Sequence, residues 1–513
     1  MISSPYNKRI IATVAIAATL SAIAFSIAAG PMPAWESKFV QQQKNGTLQY
    51  NADKQGNTIP DFSAVGYYHG NKPIPQIPVA ITITSSDNAM EQIQAAIDKL
   101  SAQKPNAAGF RGAILLKRGE YKIPGSLFIK ASGIVLRGEG NTEDGTRLIA
   151  TAPNQKPLID IQGNGKLTEV PGTRVAISDK YVPTGATSIQ LTDASHFAAG
   201  DKVILHTVAN DKWVSDLKMD QIVARGGTRQ WKAGDYNLSF ERTIIRVKGN
   251  KVELDNPVMM PIDAAYGGGF LFKYNFEGRI QHIGIENIYC ESPASSDTAE
   301  DHSWDAISME RIENGWVSKV TARYFSYACV NLSPNAKNIT VTDSRCFDHK
   351  SKITGGRRYS FNNDGQQNLF LNCSTSDGRH DFVTGAKTLG PNVFYNCSST
   401  ITHADIGPHH RWAVGTLYDN ITTDGEINVQ DRGNYGSGHG WAGVTQVLWN
   451  CKVRGAAVQN PWASGRNYCI GLNGRKTTGR FKDRLDGEWE GLNKEGLQPP
   501  SLFKAQLEAR QKK

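Results

Sequence analysis

The sequence predicts an all-β solenoid, and three observations carry that prediction. Short apolar phrases recur at a fixed interval: "NLFLNCS" from Asn368, "NVFYNCS" from Asn392 and "TLYDNIT" from Thr416 begin 24 residues apart, and "QVLWNCK" follows 30 later from Gln446. Each is β-branched, aromatic or leucine-rich and is bounded by Gly, Asn, Asp or Ser, as strands between turns are. No helical pattern of ten or more residues lies between them. Parallel strands without crossover helices, repeating at this period, form coils that stack on one another. The 50 glycines and only 7 methionines suit a turn-rich β chain.

The elements follow in chain order. Lys8 and Arg9 precede an apolar run from Ile10 to Ala29, so residues 1–30 are read as a signal peptide or an uncleaved N-terminal anchor. Either reading exports the chain, to the periplasm or beyond. Residues 31–105 hold an N-terminal segment and a capping helix with Met90, Ile93, Ala96, Ile97 and Leu100 on one face and Ser86-Asp87 as its cap. Residues 106–169 form the first coils, beginning with "RGAILLKRGEYKI". Between 170 and 275 the 24-residue phrasing stops, and alternating segments with a Gly-Asn turn describe an inserted small β domain. The repeat resumes near Arg279, which makes 276–475 the main β-helix and the home of a groove. Residues 476–513 are a tail ending in a short helix capped by Ser501.

In stacked coils, equivalent residues lie about 4.8 Å apart. Asn372, Asn396, Asn420 and Asn450 then form a column whose amides can hydrogen-bond along the stack. The seven cysteines are odd in number, and Cys373, Cys397 and Cys451 share the phrase "NC", so they read as small buried hydrophobes rather than bridges.

Six of the eleven histidines (His349, His380, His403, His409, His410 and His439) fall in one window of 91 residues, where an even spread would place about two. The 24-residue register sets Arg379 over His403 and Asp381 over Asp405, and equal parity puts Arg379 and Asp381 on one face if the stretch is extended. The net charge of +9 favours a polyanionic partner. No nucleic-acid module is visible and export favours glycans, so the expected partner is an acidic polysaccharide. Nucleic acid is not expected, and membrane contact is expected only through the N-terminal segment.

"PDFSAVGYYHG" from Pro60 and "GAILLKRGEYKIPGSLFIKASGIVLRGEG" from Gly112 to Gly140 resemble the pectate-lyase-like right-handed parallel β-helix superfamily. The resemblance spans residues about 60–165 and 279–475 and implies a right-handed parallel β-helix. "RHDFVTG", "GPHHRW" and "SGHGWAG" are similar to uncharacterised exported bacterial branches of that superfamily. The superfamily includes lyases, hydrolases and phage tail proteins, and a fold does not fix a chemistry. Gly438-His439-Gly440 matches the Gly-His-Gly of polygalacturonase-like hydrolases, but their Asp-Asp pair is missing. The aspartate-rich calcium site of pectate lyases has no clear counterpart either.

Three functions compete. A polysaccharide lyase acting on a uronate polymer is the first choice. It needs a cation for the carboxylate, a base for the α-proton and an acid for the leaving oxygen. Arg379 or Arg411 would supply the charge and His410 or His409 the base, with Lys350 or His380 assisting. A glycoside hydrolase would use Asp381 and Asp405, one coil apart and thus close to the roughly 5 Å of a nucleophile and its acid. The third is a glycan-binding β-helix without catalysis. His403, Arg432, His439, Trp412 and Trp441 would contact sugar, with Tyr435 and Trp462 as further stacking rings. No metal is expected, because His409 and His410 are adjacent and adjacent residues point apart. No cofactor is expected; calcium would suit scattered aspartates, without a cluster to support it.

Overall fold

A computed structural model describes residues 33–512; the proposed signal or anchor lies outside them. Among the described residues no helix is long and apolar enough to cross a membrane. The chain is a parallel β-helix. One inward-facing column can be followed from coil to coil through Ile114, Leu136, Ile285, Val317, Val341, Phe370, Phe394, Tyr418, Leu448 and Cys469, each paired in parallel with the next. All ten belong to one buried core. Stacking like on like places Phe370 and Phe394 4.7 Å apart and Phe394 and Tyr418 5.5 Å apart, with near-parallel rings. A second ladder runs through Leu127, Ile159, Ile307, Val330, Phe361 and Phe382.

The stack is longer than the repeated phrases. Val79–Ile83 pairs with Gly112–Leu116 ahead of residue 106, and Glu488–Glu490 pairs with Tyr468–Ile470 beyond residue 475. The helix Ala89–Ser101 buries Ile93, Ala96, Ile97 and Leu100 in the same core as Ile114, Leu116 and Tyr121. Its N-cap is Asn88, not the Ser86-Asp87 pair, and Asn88 makes no side-chain capping bond. At the other end, Ser501 caps Leu502–Gln511, its hydroxyl accepting from the Lys504 N–H at 3.1 Å.

The asparagine column exists for a conformational reason as well as a hydrogen-bonding one. Asn372, Asn396, Asn420 and Asn450 all turn corners with φ between 52° and 56°, a left-handed conformation that Asn tolerates better than most residues. Asn396 donates to Asn372 Oδ1 at 2.7 Å and Asn450 to Asn420 Oδ1 at 3.2 Å. Between Asn396 and Asn420 the amide ladder breaks, because Asn420 donates to Asp419 and to the Pro500 carbonyl instead. Asn396→Ala removes a neighbour's partner and leaves a less suitable residue in the left-handed corner. It is expected to cost about 1–2 kcal/mol in urea unfolding. All seven cysteines are free and buried.

The chain leaves the coil after Gln162 and rejoins it at Ile280, where Ile280–Gln281 and Gly284–Glu291 pair in parallel with Ile312–Arg323. Within the intervening chain, Lys202–Thr207, Leu238–Lys248, Lys251–Leu254 and Gly269–Asn275 build an antiparallel sheet. Its tight Gly249-Asn250 turn joins Lys248 to Lys251, with Gly249 at φ 57°. This insert lies on the later coils within the same compact unit. Trp213 meets Trp412 edge to face at 5.0 Å, Trp231 stacks on Tyr236 at 4.0 Å, and the Trp441 indole N–H donates to the Leu217 carbonyl at 3.2 Å. Aromatic pairs of this kind contribute about 0.5–1.5 kcal/mol each beyond the area they bury.

Candidate functional site

Four successive coils present their loops on one side and open a cleft of about 800 Å³. Tyr359 comes from the first, Arg379 and His380 from the second, Asp405, His409 and His410 from the third, and Arg432, Tyr435 and His439 from the fourth. Arg225 reaches in from the insert. The strands Phe382–Thr384 and Asp405–Pro408 hold the second and third of these coils 24 residues apart, Val383 beside Gly407 and Thr384 beside Pro408, whereas Phe361 beside Phe382 and Ile406 beside Ile427 are offset by 21.

The histidines form one cluster. His409 sits at its centre, with ring centroids 4.4 Å from His380, 5.2 Å from His410 and 5.2 Å from His439; His410 and His439 are 4.8 Å apart. Gly436 is the residue that allows this, since a Cβ there would meet the His439 ring at 2.2 Å. His380 Nδ1–H donates to the Asp405 carbonyl at 2.6 Å, which fixes its tautomer and leaves Nε2 without a proton. The Asp405 carboxylate pairs with Arg432 and lies 3.4 Å from His380 Nδ1.

Burial pushes His380 and His439 down to about 4 and His410 to about 3, with Arg432 adding to the effect in each case. His409 is pushed far below its ordinary range by burial and by His380 and Arg432. Burial acts to raise Asp405, but Arg432 and His380 hold it below the usual carboxylate value. The site at neutral pH is therefore a set of uncharged imidazoles framed by guanidinium groups. Nitrogens of all four histidines are buried without a hydrogen-bond partner, an arrangement that leaves bonding capacity unspent.

Several residues singled out by sequence lie elsewhere. Asp381 is inside the solenoid, accepting from Ser360 Oγ at 2.8 Å and Thr375 Oγ1 at 3.0 Å. Burial raises its pKa to about 6. Gly378 folds directly over it, a Cβ there falling 1.8 Å from Asp381 Oδ1, so the chain bends at this point and the strand-parity argument fails. His349 is also interior, bonded to the Phe325 carbonyl at 2.7 Å and Ser360 Oγ at 3.0 Å. Lys350 is ion-paired with Asp297 at 2.7 Å and does not line the cleft. His403 bonds Asp377 at 2.6 Å, outside the cleft. Trp412 and Trp441 are 0% and 1% exposed, because the insert covers them, so neither can stack on sugar. Arg411 lines a separate pocket beside the cleft. Trp462 lines a more distant one.

Gly438-His439-Gly440 has a packing explanation: a Cβ on Gly440 would collide with Met219 and Trp231 of the insert. Sequence reasoning missed Tyr359 and Arg225. Tyr359 is buried, which raises its phenol despite Arg379 and Arg432 nearby. Arg225 stands in "ARGGTRQW", a glycine-bearing basic loop that was the available signal. Tyr435 does line the cleft, but Arg480 lies over its ring at 3.7 Å. Among the described residues no three His, Cys, Asp or Glu side chains are arranged to hold a metal ion.

No protein-family model matches this chain, and no curated protein matches it. Solved structures do resemble it at low identity. The tailspike protein gp49 of Pseudomonas phage LKA1 is 14% identical, with a TM-score of 0.39 over 78% of this chain and 73% of that one. An alginate lyase from Paenibacillus sp. is 9% identical, with a TM-score of 0.39 over 81% of this chain and 100% of that one. The catalytic domain of a GH87 α-1,3-glucanase is 11% identical, with a TM-score of 0.36 over 83% of this chain and 67% of that one. Likenesses of this depth bear on neither activity nor substrate.

Proposed function

We propose that this protein is an exported polysaccharide lyase that cleaves a uronate-containing polymer by β-elimination in the histidine cleft. One observation carries the reading: the cleft is lined by Arg225, Arg379, Arg432 and four histidines but by a single carboxylate, Asp405, which is already tied to Arg432. A glycoside hydrolase of the common kind needs two carboxyl groups flanking the bond, and Asp381, the other candidate, faces the interior.

The residues fit elimination. Arg379, with Arg225, neutralises the uronate carboxylate and so acidifies the adjacent C–H. His410, uncharged at neutral pH, takes that proton; the electron pair forms the C4=C5 double bond and the C4–O bond breaks. Tyr359, protonated at neutral pH, supplies the proton to the leaving oxygen. His380, oriented by the Asp405 carbonyl, is a positioning residue behind His409.

Purified protein incubated with acidic and neutral glycans tests this. Ultraviolet absorbance from an unsaturated uronate is the expected result. New reducing ends without that absorbance would replace the reading with hydrolysis, and binding without either product would replace it with recognition alone.

A further inference from the structure

We propose that a second pocket, beside the cleft and shared by the insert and the coils, binds the carboxylate of another uronate residue of the same polymer, and so sets specificity for acidic chains. The inference rests on the acidic-polymer part of the reading above.

The pocket has a volume of about 430 Å³ and is lined by Arg229 and Tyr236 of the insert and by Lys387 and Arg411 of the coils. It adjoins the cleft through consecutive residues: His410 and Gly436 line the cleft, Arg411 and Ser437 the pocket. The chain reaches both by an unusual turn, since Arg411 and Trp412 are successive residues at φ 52° and 64°. Such backbone is strained and persists only where its surroundings enforce it. Here the Arg411 N–H donates to the His439 carbonyl at 3.1 Å and the Trp412 N–H to the Trp441 carbonyl at 2.9 Å.

Charge gives the pocket its ligand. Among the described residues, none of Arg229, Lys387 and Arg411 pairs with a carboxylate within 4.0 Å. Their polar contacts are neutral: Lys387 donates to the Asp235 carbonyl at 3.0 Å, and Arg411 to the Ser437 carbonyl at 3.3 Å and to its hydroxyl. The Arg229 main-chain N–H donates to the Ser437 carbonyl at 3.0 Å, joining the insert to the rim. Asp235 is the single carboxylate lining the pocket against three cations. Tyr236, 6% exposed and stacked on Trp231, packs into the wall behind these cations, so the ligand contacts fall to the charged groups. Convergent unpaired cations recognise the carboxylate of an anionic sugar.

Arg229 and Lys387 are both exposed, so an Arg229→Gln/Lys387→Gln double variant retains the fold. The probes are tetrasaccharides of galacturonate, of alginate and of glucuronan, each compared with its carboxyl-reduced, neutral form by calorimetry. The wild-type protein is expected to prefer at least one acidic form over its reduced counterpart, and the double variant to cut that preference about tenfold without weakening the neutral form. No preference in the wild type, or a preference that survives in the double variant, overturns the proposal. Elimination measured in parallel separates the two readings. Charge-dependent binding lost in the variant, with no elimination by wild type, removes the lyase and leaves the pocket. Elimination with an unchanged preference removes the pocket and leaves the lyase.

Discussion

Replacing His410 by glutamine is expected to lower kcat on the cleaved uronate polymer about 10²- to 10⁴-fold. Glutamine keeps most of the volume and a polar tip but has no basic lone pair. The site prepares that lone pair by keeping the ring uncharged: burial first, then His439, Arg411 and Arg432, push its pKa down to about 3. A base so far down is weak in the empty cleft. An anionic substrate changes this, because its carboxylate offsets the same guanidinium groups that depress the ring and restores basicity where it is needed. Affinity for the acidic polymer should accordingly rise as pH falls from 7 towards 5, with proton uptake on binding. Lys350→Gln is the matching control. Its ammonium is committed to Asp297 outside the cleft, and the rate of that variant should equal the wild type. Full activity in His410→Gln would move the base to another member of the cluster, and a large loss in Lys350→Gln would move the reaction out of the cleft.

Acid should weaken the fold through His380 by about 3 kcal/mol between pH 6.5 and 4. An unfolded histidine takes its proton near 6.5, whereas folded His380 waits until about 4, held there by burial and by Arg379 and Arg432 against the pull of Asp405. In that window the unfolded chain binds more protons, so stability falls as pH falls. Other buried groups oppose this. Burial raises Asp305 to about 8, Asp419 to about 7 and Asp381 to about 6, and each of these favours the folded state as pH drops. The measurable quantity is therefore the difference between wild type and His380→Gln. Relative to the variant, the wild type should lose about 3 kcal/mol in denaturant unfolding on going from pH 6.5 to 4. A difference independent of pH would show that His380 is protonated normally in the fold.

The stack was legible in the sequence because its register is stored as spacing. Phe370, Phe394 and Tyr418 repeat at intervals of 24 residues and stand in one column. Histidine density pointed to the cleft for the same reason, since neighbouring coils superimpose their loops. What spacing does not encode is which way a side chain faces at a corner. Asp381 and Asp405 share a register, yet Asp405 lies in a strand that begins at its own position, while the equivalent strand begins at Phe382, one residue after Asp381. Alternation applies to the first and not to the second. Trp412 and Trp441 were misjudged for a different cause: their cover comes from Trp213, Leu217 and Trp231, a region of another periodicity. Arg225 escaped notice because contact between the insert and the coils leaves no repeat to read.

That contact also has a bearing on biogenesis. Chains emerge from the ribosome N-terminus first, and regions able to fold do so as they appear. Trp213 and Trp231 are made long before Trp412 and Trp441, so during translation the insert carries a bare tryptophan face with nothing to rest on. Until the late coils arrive, that face is a place where a half-made chain can stick to its neighbours, and the histidine cleft gains Arg225 only when the wait is over.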